Sequence, residues 1–335
     1  MKIAIHDNNS TFSNAWISYC KVNKLEFKIV DCYSSSIAEN IKDCDIVMWH
    51  HQQNDYRDLL FAKQLLFSIE QSGKKVYPDF KSGWHFDDKV GQKYLLELVD
   101  APLVPSFVFY DKNKALAWAK KIHYPVVFKL RGGAGAANVR LIKSYNENKR
   151  IISKSFGSGH SSFNPFTRIK DTFNLYKSGR ATNSDLIKAI GRLFFPNNAV
   201  KLIHKERGYV YYQEFLPEND CDIRLIVIGR KRAYGMKRMV REGDFRASGS
   251  KNFIYNEIDS EVVKLAFEVA EKLELQTVAF DFIYDQEKKV RIVEMSYGFG
   301  TSGSGNCKGY WDRNLKWNEG SFSPLDWIIE DLIDL

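Results

Sequence analysis

An α/β fold with α+β character, opening on a small parallel sheet and closing on antiparallel hairpins, follows from three observations. Residues 1–79 alternate short β-branched runs with amphipathic helical runs, the pattern of parallel strands joined by right-handed crossover helices. From about residue 209 to 296 the apolar runs are of strand length and are separated by short polar turns, as in hairpins. The 335 residues are 44% hydrophobic and 27% charged, an ordinary globular composition in a chain long enough for two or three cores.

The bulk properties exclude several classes. No run of about 18 apolar residues occurs, so no membrane insertion is expected. Met1–Asp7 reads straight into a strand without a signal peptide's apolar run. The five cysteines have no CxxC spacing, which argues for a reducing, cytoplasmic setting and against a disulfide framework or a zinc site. The net charge of +8 calls for an anionic partner, and nucleotide phosphate, nucleic acid and anionic lipid would each satisfy it.

In the first segment, 1–79, strands are expected at 2–6, 26–31, 45–49 and 74–77. Helices are expected at 12–21 and 57–72, the second carrying Leu59, Leu60, Ala62, Leu65, Leu66 and Ile69 at helical spacing. Ligands of parallel sheets sit beyond the carboxyl ends of the strands. Those ends carry His6-Asp7-Asn8 and Trp49-His50-His51-Gln52-Gln53, readable as a polar pocket with an aromatic platform or as solvated loop residues. No GxGxxG follows the first strand, so a dinucleotide site is not expected there.

In the second segment, 80–212, Phe86-Asp87-Asp88-Lys89 opens a helix that Asp87 or Asp88 can cap, and Pro102 and Pro105 end it. A strand at 106–110 and a helix at 114–121 precede the apolar strand 124–130. Lys129 is the outlier in that strand, and an unpaired lysine there must reach water or meet an anion. Arg131-Gly132-Gly133-Ala134-Gly135-Ala136-Ala137-Asn138 follows, small residues whose amides can wrap phosphate oxygens. It lacks the G-K-[ST] ending of a Walker A loop. Residues 144–205 interleave basic residues with Phe156, Phe163, Phe166, Phe173 and Tyr176. They read as an insertion with a small core of its own ahead of a single-strand nucleic-acid or sugar-binding surface, and nucleic acid is not expected as a partner.

In the third segment, 213–335, strands are expected at 209–217, 221–229 and 233–239. A helix at 261–273 is capped by Asp259 or Ser260. Two runs, 278–284 and 290–296, then flank the turn Asp285-Gln286-Glu287-Lys288. A two- or four-residue loop centred on Gln286–Glu287 would put Asp281 opposite Ile292, with Glu294 one step along on the same face. Two nearby carboxylates on apolar strands repel and are costly to desolvate, and a divalent cation such as Mg²⁺ removes both costs. The alternative is an edge hairpin with both acids in solvent. A glycine-rich run, 298–309, and the aromatics Tyr310, Trp311, Trp317, Phe322 and Trp327 close the chain.

Taken in order, Lys89, Lys129, the glycine loop, Gln213-Glu214-Phe215-Leu216, Asp222-Ile223-Arg224, Met236-Lys237-Arg238, Gly243-Asp244-Phe245-Arg246 and the pair Asp281 and Glu294 resemble the ATP-grasp superfamily. The resemblance is closest to the ribosomal-protein S6 glutamate ligase-like (RimK-type) carboxylate–amine ligases and spans roughly residues 80–305. It implies an ATP-grasp fold with a Rossmann-like amino-terminal domain, 1–79, and two α+β subdomains, 80–212 and 213–335, clasping the nucleotide. It further implies that Lys89, Lys129, Gly132, Gly133 and Gly135 meet the phosphates and that Gln213, Glu214, Phe215 and Leu216 hold adenine. Glu218 or Asp220 would lie near the ribose, with Lys237 among the nucleotide contacts. Asp281, Glu294 and Ser296 would bind Mg²⁺, for which Mn²⁺ would substitute. Ser296 stands where the family usually has asparagine, and the loop 298–303 departs from the usual proline-containing one.

The implied reaction activates a carboxylate with ATP as an acyl phosphate, which an amine then attacks. Arg224, Arg238 and Arg246 would be the catalytic cations. The implied partners are a small-molecule carboxylate and an amine. Members associated with cell-surface polysaccharide pathways suggest an amino acid joined to a sugar carboxylate, with glutamate addition to a protein or peptide as the competitor. A nucleotide-binding protein with an inactive or regulatory site is the alternative, and a homodimer would be common for the superfamily.

Overall fold

The computed structural model describes residues 1–53, 55–133, 138–161, 169, 172–173, 176, 182–194, 205–241, 244–247, 252–255, 258–301 and 304–334. Its contacts divide the chain into one unit of Met1–Phe86, Tyr94–Leu103 and Leu216–Leu335 and a second of Asp87–Lys93 and Val104–Phe215.

The first unit begins with strands β1 (Lys2–His6), β2 (Glu26–Val30), β3 (Ile46–Met48) and β4 (Lys75–Tyr77), all parallel in the order β2-β1-β3-β4. Helix Thr11–Val22 starts at a capping box in which Ser10 and Ser13 satisfy each other's backbone donors. Helix Tyr56–Gln71 starts at Asp55, which accepts from the Arg57 amide. Alternation along β1 sends Ile3 and Ile5 toward Phe12 and Trp16, while Ala4 packs with Ala62, Leu66 and Ile69. Both faces are therefore buried, as a parallel sheet requires.

The second unit is built on β5 (Ser106–Phe109), β6 (Val126–Lys129), β7 (Val139–Ile142) and β8 (Val210–Glu214), antiparallel in the order β5-β8-β6-β7. Helices Lys112–Ala119 and Tyr145–Ser155 cover one face, burying Ala115, Ala119, Ile151 and Ile152 against Val126, Phe128, Ile142 and Tyr212. Because side chains alternate, Lys129 emerges on the other face. A further helix, Asn183–Phe194, lies within the 144–205 segment.

The first unit resumes with β9 (Cys221–Ile228), β10 (Arg232–Met239), β11 (Phe253–Ile254), β12 (Thr277–Tyr284), β13 (Val290–Ser296), β14 (Gly309–Asp312) and β15 (Trp317–Glu319). Among the described residues their order is β13-β12-β9-β10-β14-β15, with β11 on β10. Helix Ser260–Lys272 covers one face, where Val262, Ala266 and Val269 meet Leu225, Val227, Phe280 and Phe282. The opposite face, with Ile226, Ile228, Tyr234, Met236 and Ala279, packs into one core with Ile3, Ile5, Trp16 and the carboxyl-terminal helix Pro324–Asp334. Tyr77 and Thr277 are joined through their hydroxyls at 2.8 Å, and Gln276 Nε2 donates to Val76 O at 2.9 Å. The parallel sheet and the large sheet are thus one body.

The register of the β12–β13 hairpin differs from the expected one. Phe282, not Asp281, is opposite Ile292, and a register shift follows, so that Asp281 pairs directly with Glu294. Two local features cause this. The loop has three residues: Asp285 and Lys289 face each other across it, Lys288 donates back to Asp285 O, and Lys288 takes a left-handed φ of 62°. Val293 is then the extra residue of a β-bulge. Without the bulge Val293 would oppose Asp281, and Glu294 would point into the helix-covered core.

Candidate active site

Asp222, Arg224, Arg238, Asp281 and Glu294 share one face of the large sheet and are register neighbours there. Asp281 on β12 is flanked by Glu294 on β13 and by Arg224 on β9, its register partners on either side. Arg224 grips it with two hydrogen bonds of 2.8 Å, Nε to Oδ1 and Nη2 to Oδ2. Arg238, its residue only 5% exposed, lies across from Asp222 in the β9–β10 ladder. It donates to both Asp222 oxygens at 2.6 and 2.5 Å and reaches Asp281 Oδ2 at 2.7 Å. Burial opposes ionisation of Asp281, but Arg224 and Arg238 beside it hold its carboxyl well below the usual carboxylate range. Asp222 goes the other way, pushed up by burial and by the Asp281 charge. Sequence reasoning assigned Asp222 no role. Its signal was the Asp-x-Arg spacing, which puts Asp222 and Arg224 on one face of a strand.

This donor set fits a hard divalent cation. A carboxylate has about four lone-pair positions; the two arginines occupy three of those on Asp281, leaving one on Oδ1. Ser296 lies two residues beyond Glu294 on the same strand face, and its hydroxyl donates to Gly298 O at 2.7 Å, keeping its oxygen lone pairs. Among the described residues no third His, Cys, Asp or Glu completes a metal cluster. Two carboxylates suit Mg²⁺, which retains several waters and phosphate oxygens as ligands.

The second unit carries the groups that the family resemblance assigned to the phosphates. Asp88 caps helix Lys89–Leu98 by accepting from the Gly91 amide at 2.9 Å. Lys89 at its first position sends Nζ to Gly133 O at 2.7 Å. Lys129 is buried, and its Nζ donates to Gln213 Oε1 at 2.5 Å, while Gln213 Nε2 donates to Ser106 Oγ at 3.2 Å. The amides of Arg131, Gly132 and Gly133 all donate to acidic side chains, and Gly133 has a φ of +98°. Gly135 lies outside the described residues. Glu214 ends β8 exposed, and Phe215 follows half-buried.

Leu216 and Asp220 fall in the first unit, where Val240 donates to Asp220 O at 2.8 Å. Lys237 is half-buried on β10 opposite Ile223 and Ile254. Arg246 folds back on Asp244, two residues away, at 2.5 Å. Asp244 is opposed by burial yet held low by Arg246. The ends of β1 and β3 are not solvated loops. His6, Trp49 and His51 are buried, and His50 stacks on Phe12 at 3.7 Å. Tyr297 and Phe86 close over them, with Tyr297 donating to His51 O at 2.5 Å. Trp49, 0% exposed, offers no platform. The tail aromatics Tyr310, Phe322 and Trp327 likewise pack on one another, Phe322 and Trp327 stacking at 4.9 Å.

Comparison with known proteins gives this architecture its class. Residues 196–310 match the family model of the RimK-like ATP-grasp domain, and residues 88–169 match that of the carbamoyl-phosphate synthase L chain, ATP-binding domain. The fold matches a RimK domain ATP-grasp protein from Sphaerobacter thermophilus with a TM-score of 0.59 at 16% identity, covering 99% of each chain. It also matches the ATP-grasp ligase PsnB, solved with the precursor peptide PsnA2 and AMPPNP, with a TM-score of 0.55 at 12% identity over 99% of this chain and 97% of that one. The fold is that of the ATP-grasp proteins. The alpha-aminoadipate–LysW ligase LysX of Saccharolobus solfataricus is 24% identical over 239 residues, covering 69% of this chain and 68% of LysX. The RimK-like match covers residues 196–310 of the chain, and the matches together support an ATP-dependent carbon–nitrogen ligase of the ATP-grasp type.

Proposed function

We propose that this protein joins a substrate carboxylate to an amine through an acyl phosphate made from ATP. The observation that carries the reading is the bulge at Val293, which sets Glu294 beside Asp281 instead of in the core. A carboxylate is a poor electrophile at neutral pH, and phosphorylation supplies the leaving group. The protein's part is positioning and charge stabilisation. Lys89, Lys129 and the loop amides would bind phosphate oxygens, each charge-assisted hydrogen bond contributing roughly 1.5–3 kcal/mol. Asp281 and Glu294, with Ser296, would hold Mg²⁺, whose chemistry is to neutralise the β- and γ-phosphate charge. Arg224 and Arg238, already held in one orientation by Asp281 and Asp222, would stabilise the transferring phosphoryl group. Arg246, with Asp244 as its partner, would hold the substrate carboxylate or the tetrahedral oxyanion.

Two substrate classes follow from different supports. LysX is described as an alpha-aminoadipate–LysW ligase and PsnB was solved with a precursor peptide; the latter favours an acid or amine borne on a peptide. A sugar carboxylate gains no support from the carboxyl-terminal aromatics, since Tyr310, Phe322 and Trp327 pack on one another. The test is ADP and phosphate release with Mg-ATP against amino acids, short peptides and uronic acids, singly and in pairs. Release that requires both an acid and an amine supports the reading and names the classes. ATP hydrolysis that ignores both would overturn it.

A further inference from the structure

The amides of Arg131, Gly132 and Gly133 are already satisfied, and by carboxylates. Glu206 accepts from the Arg131 amide through Oε2 at 2.9 Å and from the Gly132 amide through Oε1 at 3.2 Å. Asp87 accepts from the Gly133 amide through Oδ1 at 2.6 Å. Successive N–H groups converging beside a left-handed residue form an anion-binding nest. Two carboxylates therefore stand where phosphate oxygens would bind.

Neither carboxylate is there by accident of a loose side chain. Asp87 has a φ of 55°, a left-handed backbone that aspartate tolerates better than most residues. Glu206 is fixed through its backbone, exchanging both hydrogen bonds with His160 at 2.8 and 2.9 Å. Its side chain also accepts from the Tyr209 hydroxyl, which itself accepts from the Arg131 amide at 2.6 Å. Gly132 is sandwiched between the two acids, and an added Cβ would stand 3.1 Å from Asp87 Oδ2 and 3.3 Å from Glu206 Oε1. Two like charges converging on one glycine repel each other, so the arrangement is easily exchanged for a stronger anion. The lysine at the site is occupied in the same way, since Lys89 Nζ rests on the Gly133 carbonyl.

We propose that Asp87 and Glu206 are a built-in competing anion for the phosphate loop, holding its amides until a polyphosphate displaces both carboxylates. This rests on the reading of residues 131–133 as phosphate-binding. Each N–H carries one proton, so the polyphosphate and a carboxylate compete for it. The apparent affinity for nucleotide is then reduced by the fraction of molecules in which the nest is closed.

The test uses the full chain with three probes in calorimetric titrations: Mg-AMPPNP, tripolyphosphate and adenosine. Asp87→Asn and Glu206→Gln keep size and hydrogen-bonding reach while removing charge. Each is expected to bind Mg-AMPPNP and tripolyphosphate about 3- to 10-fold more tightly than the unaltered protein, with adenosine affinity unchanged. Affinity for tripolyphosphate that is unchanged or weaker in both variants overturns the proposal, since the carboxylates would then be scaffolding. Equal tightening of adenosine overturns it too, because the effect would not be on the phosphate loop. Failure of every form to bind tripolyphosphate or Mg-AMPPNP instead overturns the phosphate-loop reading beneath it. If Glu206→Gln does not fold, Asp87→Asn carries the same comparison.

Discussion

Arg224 and Asp281 meet as register partners on adjacent strands and form a two-pronged ion pair, both contacts at 2.8 Å. A guanidinium matches a carboxylate with two parallel N–H bonds, and an ammonium cannot. Arg224→Lys therefore keeps the charge but loses the fork, leaving Asp281 with Arg238 as its geometric partner. The expected cost is about 1.5–3 kcal/mol of stability in urea unfolding. Turnover, measured as ADP release, should fall more than about tenfold, the equivalent of 1.4 kcal/mol. Unchanged stability with unchanged turnover would show that charge alone matters at this position.

Glu294 separates function from fold. It is only half-buried and lies at the sheet edge on β13. Glu294→Gln preserves its shape and should change stability by no more than about 0.5 kcal/mol. Mg-dependent ADP release should nevertheless be nearly abolished, since an amide is a poor ligand for a hard cation compared with a carboxylate. Near-normal turnover in this variant would defeat the metal assignment.

These two residues also show what could be read from the sequence and what could not. The strands that carry them were legible within a residue or two, because β-branched and aromatic runs bounded by polar turns leave little choice. The facing of Asp281 and Glu294 was not. It depends on a left-handed Lys288 and an extra residue at Val293, neither of which composition dictates. Asp222 was hidden for a related reason, since its partner Arg238 is 16 positions away and becomes a neighbour only once the ladder register is known. Glu206 and Asp87 reach the glycine loop over 74 and 46 positions, where periodicity says nothing. The ends of β1 and β3 misled in the opposite sense. Polar residues there suggested solvent or substrate, but Phe12, Phe86 and Tyr297, the last from far along the chain, cover them.

That covering has a consequence for acid stability. His51 and His85 are 2% and 0% exposed, and His50 lies flat on Phe12. Burial lowers all three rings below the ordinary 6.5, His50 to about 4, His85 to about 3 and His51 well below. Between pH 6.5 and about 4 the unfolded chain takes up protons on these rings and the folded chain does not. Stability therefore falls as pH drops through that window and is insensitive to them above it. Each ring contributes up to about 1.4 kcal/mol per pH unit. Urea unfolding at pH 7, 6 and 5 should show the decline, with a shallower slope in His85→Phe. A flat profile would mean that the rings charge without unfolding.

Gly229 tests how the carboxyl-terminal helix is locked to the large sheet. Asp331 on that helix accepts from Lys231 at 2.8 Å and from Arg232 at 2.9 Å, drawing its carboxylate over the β9–β10 turn. Gly229 in that turn has a φ of +59°, and a Cβ added there would fall 1.7 Å from Asp331 Oδ2. Two costs therefore combine in Gly229→Ala: a left-handed backbone for a residue with a side chain, roughly 1–2 kcal/mol, and displacement of the ion-paired carboxylate. The total should reach at least about 2 kcal/mol in urea unfolding. Combining it with Asp331→Ala removes the clash but not the backbone cost. The double variant should accordingly be less destabilised than the sum of the two single ones. Strict additivity would show that the helix shifts aside freely and that the ion pairs do not hold it in place.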